Sequence, residues 1–317
     1  MLNVFTASAR RFAEMPDKTI GFVGLGIMGL AMAKNLLDAG YPVVGHNRSA
    51  DPVEELVEHG GKNGESPAGV AEESDVVLMC LPDSPDVERI ILGDENEDSP
   101  ITEGLSDGMV VIDHSTISPT VTEEIAAELA ELGIELLDAP ISGGEEGAIE
   151  GTLSIMVGGS EEALEEQRDL LDVMGETVTH CGPSGAGQTT KAANQIVVAA
   201  QMVGVSEALV FASQAGADLE SVVDAISGGA AGCWTLDNRA PDMIQGDFDP
   251  GFFAEYQYKD LRIATDAGEA FGAPMPQTEL AHELYKSMVG NDIGRDDNSG
   301  VMQVIEMLAG TEARADD

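Results

Sequence analysis

The chain has 317 residues, 43% of them hydrophobic, enough for a substantial core and most naturally for two domains. Its 58 acidic against 15 basic side chains leave a formal charge of −43, a field that repels nucleic acid and anionic membranes and argues against both as partners. No apolar run approaches the roughly 18 residues a membrane span needs; Cys80, Cys181 and Cys233 stand far apart without a Cys-x-x-Cys pair, so neither a disulfide framework nor a metal site is expected, and a reducing cytoplasm fits. The acids are spread along the whole chain and coexist with regular apolar periodicity. That pattern indicates a folded protein adapted to high salt rather than an acidic disordered chain.

Residues 1–18 carry Arg10 and Arg11 and few acids, unlike the rest of the chain. They read as a poorly ordered extension, with Met15 a candidate start, since the stretch lacks the apolar centre of a targeting peptide. From residue 19 short apolar runs alternate with helical patterns, the mark of a doubly wound, Rossmann-type parallel sheet. The predicted strands are 19–23, 42–46, 76–81, 109–113, 134–138, 154–158 and 177–181. Ser66-Pro67 and Ser118-Pro119 read as helix caps followed by proline in the first turn. Gly40, Gly60 and Gly133 stand where helices should end. After Gly182-Pro183-Ser184-Gly185 strands all but vanish. Helices are predicted over 187–215, after an Asp218 cap, and over 258–270, 277–290 and 299–308. The expected organisation is an α/β domain over 19–182 and an all-helical domain over 183–317.

Gly24-Leu25-Gly26-Ile27-Met28-Gly29 follows the first strand and opens the helix predicted over 28–39. Gly-x-Gly-x-x-Gly in that context holds a dinucleotide. Gly24 permits the tight turn, Gly26 lets backbone approach the pyrophosphate, Gly29 lets helix and strand pack, and the phosphate charge rests on the helix N-terminus. The next strand ends in His46-Asn47-Arg48-Ser49, where an NAD enzyme usually places an acid for the ribose hydroxyls. A guanidinium there suits a 2′-phosphate, so NADP is favoured and NAD is the alternative. The competing reading is a surface arginine paired with Asp51 or Glu54.

Only six lysines occur, and one, Lys191, lies early in the longest predicted helix. Asn194 is one turn further on the same face, and Ala192, Ala193, Ile196 and Val197 around them are apolar. Burial there would lower a lysine pKa from about 10.4 toward the range of a general acid–base. The plainer reading is a lysine snorkelling from a domain interface.

Three spaced blocks shift the balance between these two readings: Ile20 through Gly29; Asp138-Ala139-Pro140-Ile141-Ser142-Gly143-Gly144 with Gly151 through Gly159; and Gly185-Ala186-Gly187-Gln188-Thr189-Thr190-Lys191-Ala192-Ala193-Asn194-Gln195. With them the chain resembles, over residues 18–308, the β-hydroxyacid dehydrogenases, which include 3-hydroxyisobutyrate dehydrogenases and tartronate semialdehyde reductases. The resemblance implies that Lys191 is the catalytic lysine and Asn194 a substrate-orienting amide. It implies that Ser142, Gly143 and Gly144 receive a substrate carboxylate, that Leu81, Pro82 and Thr116 contact the nicotinamide half, and that Lys259 reaches the site from the helical domain. It also implies a short hydroxy acid or semialdehyde as substrate, no metal, and a homodimer or homotetramer. The runs 143–154 and 228–232, with Leu236-Asp237, lean toward the tartronate semialdehyde branch, whereas Trp234 would suit a methyl-bearing substrate if its loop reached the pocket. A 6-phosphogluconate dehydrogenase is disfavoured because Ala193 stands where that branch has His; an imine reductase, because Lys191 is present. A non-catalytic NADP-binding protein would be expected to have lost Lys191 or the Ser142 loop.

Overall fold

In the strand β1 (Ile20–Val23) every residue is buried, and the same holds for β4 (Val76–Met79) and β5 (Val110–Asp113). Such runs need cover on both faces, which a parallel sheet wound with helices provides. The structure, a computed structural model, describes residues 18–94 and 99–315; apart from Lys18, the extension expected at the N-terminus lies outside the described residues. β2 (Val43–His46), β3 (Lys62–Asn63), β6 (Glu135–Asp138), β7 (Ile141–Ser142), β8 (Leu153–Gly158) and β9 (Gly175–Gly182) complete the sheet. Its order is β3-β2-β1-β4-β5-β6-β8-β7, with β9 paired to β8.

Strand alternation sends side chains to opposite faces, and the cores follow it. Val76 and Leu78 join Phe22, Leu36 and Leu171 in one cluster. Val77 and Met79 join Val111, Ile125 and Leu129 in the other. The first face is covered by α1 (Ile27–Asp38) and α7 (Glu161–Met174), with Val53 and Leu56 of α2 (Ala50–Glu58) and Ala148 of α6 (Gly144–Glu150), the second by α3 (Pro67–Glu72), α4 (Ser84–Leu92) and α5 (Pro119–Glu131). Ser66 caps α3 as expected, its hydroxyl accepting from Gly69 N at 3.0 Å. Ser118 stands at the start of α5, but its hydroxyl bonds Thr120 Oγ1 instead of capping. Gly40, Gly60 and Gly133 all take positive φ just past helix ends.

One boundary needs correcting. The strand predicted over 76–81 stops at Met79, because Leu81 N donates to the Ser115 hydroxyl at 2.8 Å and Pro82 has no N–H to offer. The sheet is parallel as expected from β1 to β6 and between β8 and β9, while β8 runs antiparallel to β6 and β7. β3 and β7 are two residues each, too short to leave a period-2 signature.

Beyond Gly182 the described chain is helical. α8 (Ala186–Gln214) is followed by α9 (Leu219–Ser227), α10 (Trp234–Asn238), α11 (Ala240–Gln245), α12 (Ala254–Phe271), α13 (Pro276–Gly290) and α14 (Val301–Ala309). Asp218 caps α9 through Ser221 N at 2.7 Å. The composition suggests no run of membrane-spanning length, yet α8 has 29 residues, and its most apolar 18-residue window reaches a mean hydropathy of 1.8. Many of its apolar residues are core: Ala199, Met202 and Val203 pack with Leu261, Tyr285 and Val301, and Val205, Leu209 and Val210 with Leu219, Leu236 and Met302, while Val197 and Phe211 are exposed.

Candidate active site

β1 and β4 are neighbours, while the chain runs from β1 to β2 on one side and returns to β4 on the other. A crevice opens at such a switch point, beyond the carboxyl ends of the strands, and there the glycine turn begins. Gly24 has φ +94° and a Cβ on it would lie 2.3 Å from Cys80 O; a Cβ on Gly29 would lie 2.0 Å from Gly24 O. Both positions exclude a side chain. At Gly26 a Cβ would meet nothing within 4 Å, so that position is open. α1 starts there with no acidic residue in its first turn, leaving unpaired amides and a positive helix end toward the opening. These features fit a dinucleotide pyrophosphate. Leu25 is buried in the sheet core and Ile27 is exposed; Met28 packs partly against the core.

Asn47 braces this turn. Its Oδ1 accepts from Leu25 N at 3.1 Å while its Nδ2 donates to the Ser49 hydroxyl at 2.8 Å. Ser49 is the residue before α2. Arg48 between them is exposed, and among the described residues no ion pair ties it to Asp51 or Glu54.

The opposite wall comes from α8 and α12. Lys191 is 7% exposed. Burial pulls its ammonium down from 10.5 to about 8, against the attraction of Asp260 and with the repulsion of Lys259. Lys259 Nζ donates to Thr116 O at 2.6 Å and lies 3.0 Å from Asp260 Oδ1. That second approach lacks hydrogen-bond geometry, and Asp260 Oδ1 is otherwise without a partner. Asp260 Oδ2 accepts from Gln195 Nε2 at 2.6 Å, and Gln195 Oε1 accepts from Asn194 Nδ2 at 2.8 Å. A polar chain therefore runs from Thr116 at the sheet to Asn194 beside Lys191. Leu81 joins the same edge through Ser115, and Pro82 is exposed next to it. Arg262 of α12 reaches Asp83 at 2.5 Å, a second tie between the helical half and the loop after β4.

Sequence reasoning does not single out what docks α8 onto the sheet. Asp138, at the end of β6, accepts from Gly185 N at 2.8 Å and Gln188 N at 2.9 Å. Gln188 in turn donates to Ser115 O at 2.8 Å and accepts from Ile117 N at 3.1 Å. Burial pushes Asp138 up to about 6 despite these amides, and likewise Asp113 on the neighbouring strand. The available signal was a buried Asp closing an apolar strand, with Gln188 inside an otherwise small-residue turn. Ser142 follows the same strand end, half-buried, with Gly143 and Gly144 exposed at φ +144° and +67°. No described hydrogen bond joins Ser142 to Lys191. Trp234 is 55% exposed with the Arg239 guanidinium 5.1 Å from its ring centre, so it is a surface residue.

A dinucleotide turn at the sheet's switch point, with a buried lysine on a helix docked to the ends of β5 and β6, fits a nicotinamide-dependent oxidoreductase class. A family model described as the NAD binding domain of 6-phosphogluconate dehydrogenase matches residues 19–182. A second, described as the NAD-binding part of NADP-dependent 3-hydroxyisobutyrate dehydrogenase, matches 185–305. The 2-hydroxy-3-oxopropionate reductase of Escherichia coli is 41% identical over 291 residues, 92% of this chain and 98% of its own. Mycobacterium tuberculosis 3-hydroxyisobutyrate dehydrogenase, solved with L-serine, superposes with a TM-score of 0.83 at 34% identity over 91% of this chain and 99% of its own. Psf3 in complex with NADP+ and 2-OPP gives 0.80 at 27%, covering 90% and 100%. The chain belongs to the β-hydroxyacid dehydrogenase family.

Proposed function

We propose that this oxidoreductase interconverts a short 3-hydroxy acid and its semialdehyde, with residues 19–182 as the cofactor domain and 183–317 as the substrate domain. The observation that carries the reading is Lys191, a buried ammonium drawn down to about 8 on the helix that Asp138 and Gln188 dock to the ends of the strands. A group of that pKa is poised to give or take a proton near neutral pH. When bound, the nicotinamide supplies or accepts the hydride. In reduction protonated Lys191 donates to the carbonyl oxygen; in oxidation neutral Lys191 accepts the hydroxyl proton. Asn194 orients the substrate, and the Ser142 hydroxyl with the Gly143 and Gly144 amides receives its carboxylate, an approach that the absence of side chains leaves clear. Lys259, held between Thr116 and Asp260, keeps positive charge beside Lys191 and helps draw in an anionic substrate. Leu81, Pro82 and Thr116 line the nicotinamide end, and Arg48 favours NADP over NAD. Relatives named for 2-hydroxy-3-oxopropionate and 3-hydroxyisobutyrate support this substrate class.

The chain is further proposed to act as a homodimer or homotetramer. Val197 and Phe211, both exposed, fall on one face of α8 by helical spacing and offer apolar surface to a second copy.

The test is a panel of short 3-hydroxy acids, their semialdehydes and 6-phosphogluconate, run with NADPH and NADH in molar KCl. Turnover of a 3-hydroxy acid is expected, and Lys191→Ala should lose about 10²–10⁴-fold in kcat while binding the cofactor within a few-fold of wild type. No turnover on the panel, or a variant of near-normal rate, overturns the reading in favour of a non-catalytic nucleotide-binding protein.

A further inference from the structure

β5 ends at Asp113, so Ser115, Thr116 and Ile117 lie beyond the ladder of the sheet. Ser115 and Ile117 are nonetheless 2% and 1% exposed, and main-chain polar groups buried that deeply need partners. One side chain supplies them. The amide of Gln188, itself 1% exposed, donates to Ser115 O at 2.8 Å and accepts from Ile117 N at 3.1 Å. A carbonyl only accepts and an N–H only donates, so the amide fits one way round. It bonds the carbonyl before Thr116 and the N–H after it, the pair that one residue of a neighbouring parallel strand would make. The same segment is held from two further sides: Ser115 N donates to Asp113 Oδ1 at 2.9 Å, and Thr116 O accepts from Lys259 Nζ at 2.6 Å. Gln188 stands one helical turn before Lys191 on the same face of α8.

We propose that Gln188 is a positioning residue: its side chain holds the segment around Thr116 in register with Lys191, so that the nicotinamide end of the site and the acid–base stay at a fixed separation. This rests on the functional reading above, in which Thr116 lines the nicotinamide end and Lys191 moves the proton. Hydride and proton are exchanged at adjoining atoms, a carbon and its oxygen, so a slip of about 1 Å between the two supports costs on the order of 10²-fold in rate. The role belongs to the side chain alone. Docking of α8 uses the Gln188 main chain, whose N–H donates to Asp138 Oδ2 at 2.9 Å, and a substitution at 188 keeps that N–H. Without the amide, Ser115 O and Ile117 N are left buried and unmatched, and the segment shifts toward other partners while the helix stays docked.

Gln188→Met keeps the length of the side chain and removes both bonds. In hydrogen exchange on the full-length, cofactor-free protein, the Ile117 amide should lose at least about tenfold in protection while the amide of residue 188 keeps its own. With NADP+ bound and a 3-hydroxy acid that wild type uses, single-turnover reduction of the cofactor should slow about 10²-fold at full amplitude, the Kd for NADP+ staying within about threefold of wild type. A merely structural loss would instead cut the amplitude and leave the rate. Gln188→Glu serves if the methionine variant does not fold. Its carboxyl makes both bonds only while protonated, among Asp113 and Asp138 at the strand ends and Lys191 and Lys259 on the helices. Oxidation by that variant should therefore fall as pH rises, where oxidation by wild type rises. An Ile117 amide protected as in wild type overturns this proposal alone. So does a normal single-turnover rate in Gln188→Met, or a Gln188→Glu enzyme whose oxidation follows the wild-type pH profile. A wild type that turns over no member of the panel overturns the functional reading beneath it, and the catalytic part of this proposal with it.

Discussion

Lys191 is held at a cost to stability. Its folded pKa of about 8 lies below the ordinary 10.5, so between those values the unfolded chain binds the proton that the folded chain releases. Stability then rises with pH across that window, and below about pH 8 the full penalty remains, on the order of 3 kcal/mol. Lys191→Met should raise the thermal midpoint at pH 7 while abolishing turnover, since Asp260 keeps Lys259 beside it. Under the role proposed for Lys191, the same titration gives the two directions of catalysis opposite pH dependence. Reduction needs the ammonium and should decline above about pH 8, whereas oxidation needs the free amine and should rise through it. Superimposable profiles in the two directions would remove Lys191 as the acid–base. Arg48 makes the other prediction at this scale: Arg48→Ala should raise the KM for NADPH at least about tenfold and leave NADH within twofold, as expected when a 2′-phosphate loses its charge-assisted partner. Equal effects on both cofactors would count against it.

Between residue and fold stands the first turn of α8. It belongs to the helix that carries Lys191, yet its geometry is dictated by the sheet. Gly187 shows how closely: a Cβ there would lie 2.4 Å from Met156 O and 2.5 Å from Asp138 O. Both neighbours are backbone, of β8 and β6, which cannot move aside. Gly187→Ala should therefore push the helix off the sheet, weaken the Asp138 and Gln188 bonds, and lower activity at least tenfold with a clear loss in thermal midpoint. Near-normal activity in that variant would show that Lys191 tolerates displacement of its helix. The strand and helix identities on either side were legible from the sequence because their apolar periods are long and regular. This docking was not, since a glycine in a Gly-Ala-Gly turn carries no sign of which backbone it will touch.

Across the whole molecule, charge is the dominant feature. The formal −43 sits mainly on exposed Asp and Glu, and few cations oppose it: Lys34 with Glu55, Arg168 with Glu165 and Lys286 with Glu283 are exposed pairs worth little each. Self-repulsion of that size opposes the compact state and is screened by salt. The urea midpoint is expected to rise between low salt and molar KCl. An identical midpoint in both would show that the fold bears the charge without screening.

By itself the sequence determined the alternating sheet with its helical second half, the nucleotide turn and the lysine face, because periodicity, glycine spacing and local apolar context are properties of neighbours along the chain. Only the tertiary structure decided what those residues meet. It put Lys259 of α12 against Thr116 of the sheet, 143 positions away, spent Asn47 on bracing the turn, placed Trp234 at the surface, and threaded Gln195 between Asn194 and Asp260. Those outcomes depend on which buried polar groups find partners once distant segments pack. A buried donor or acceptor must be satisfied wherever the fold puts it, and no local pattern announces the partner.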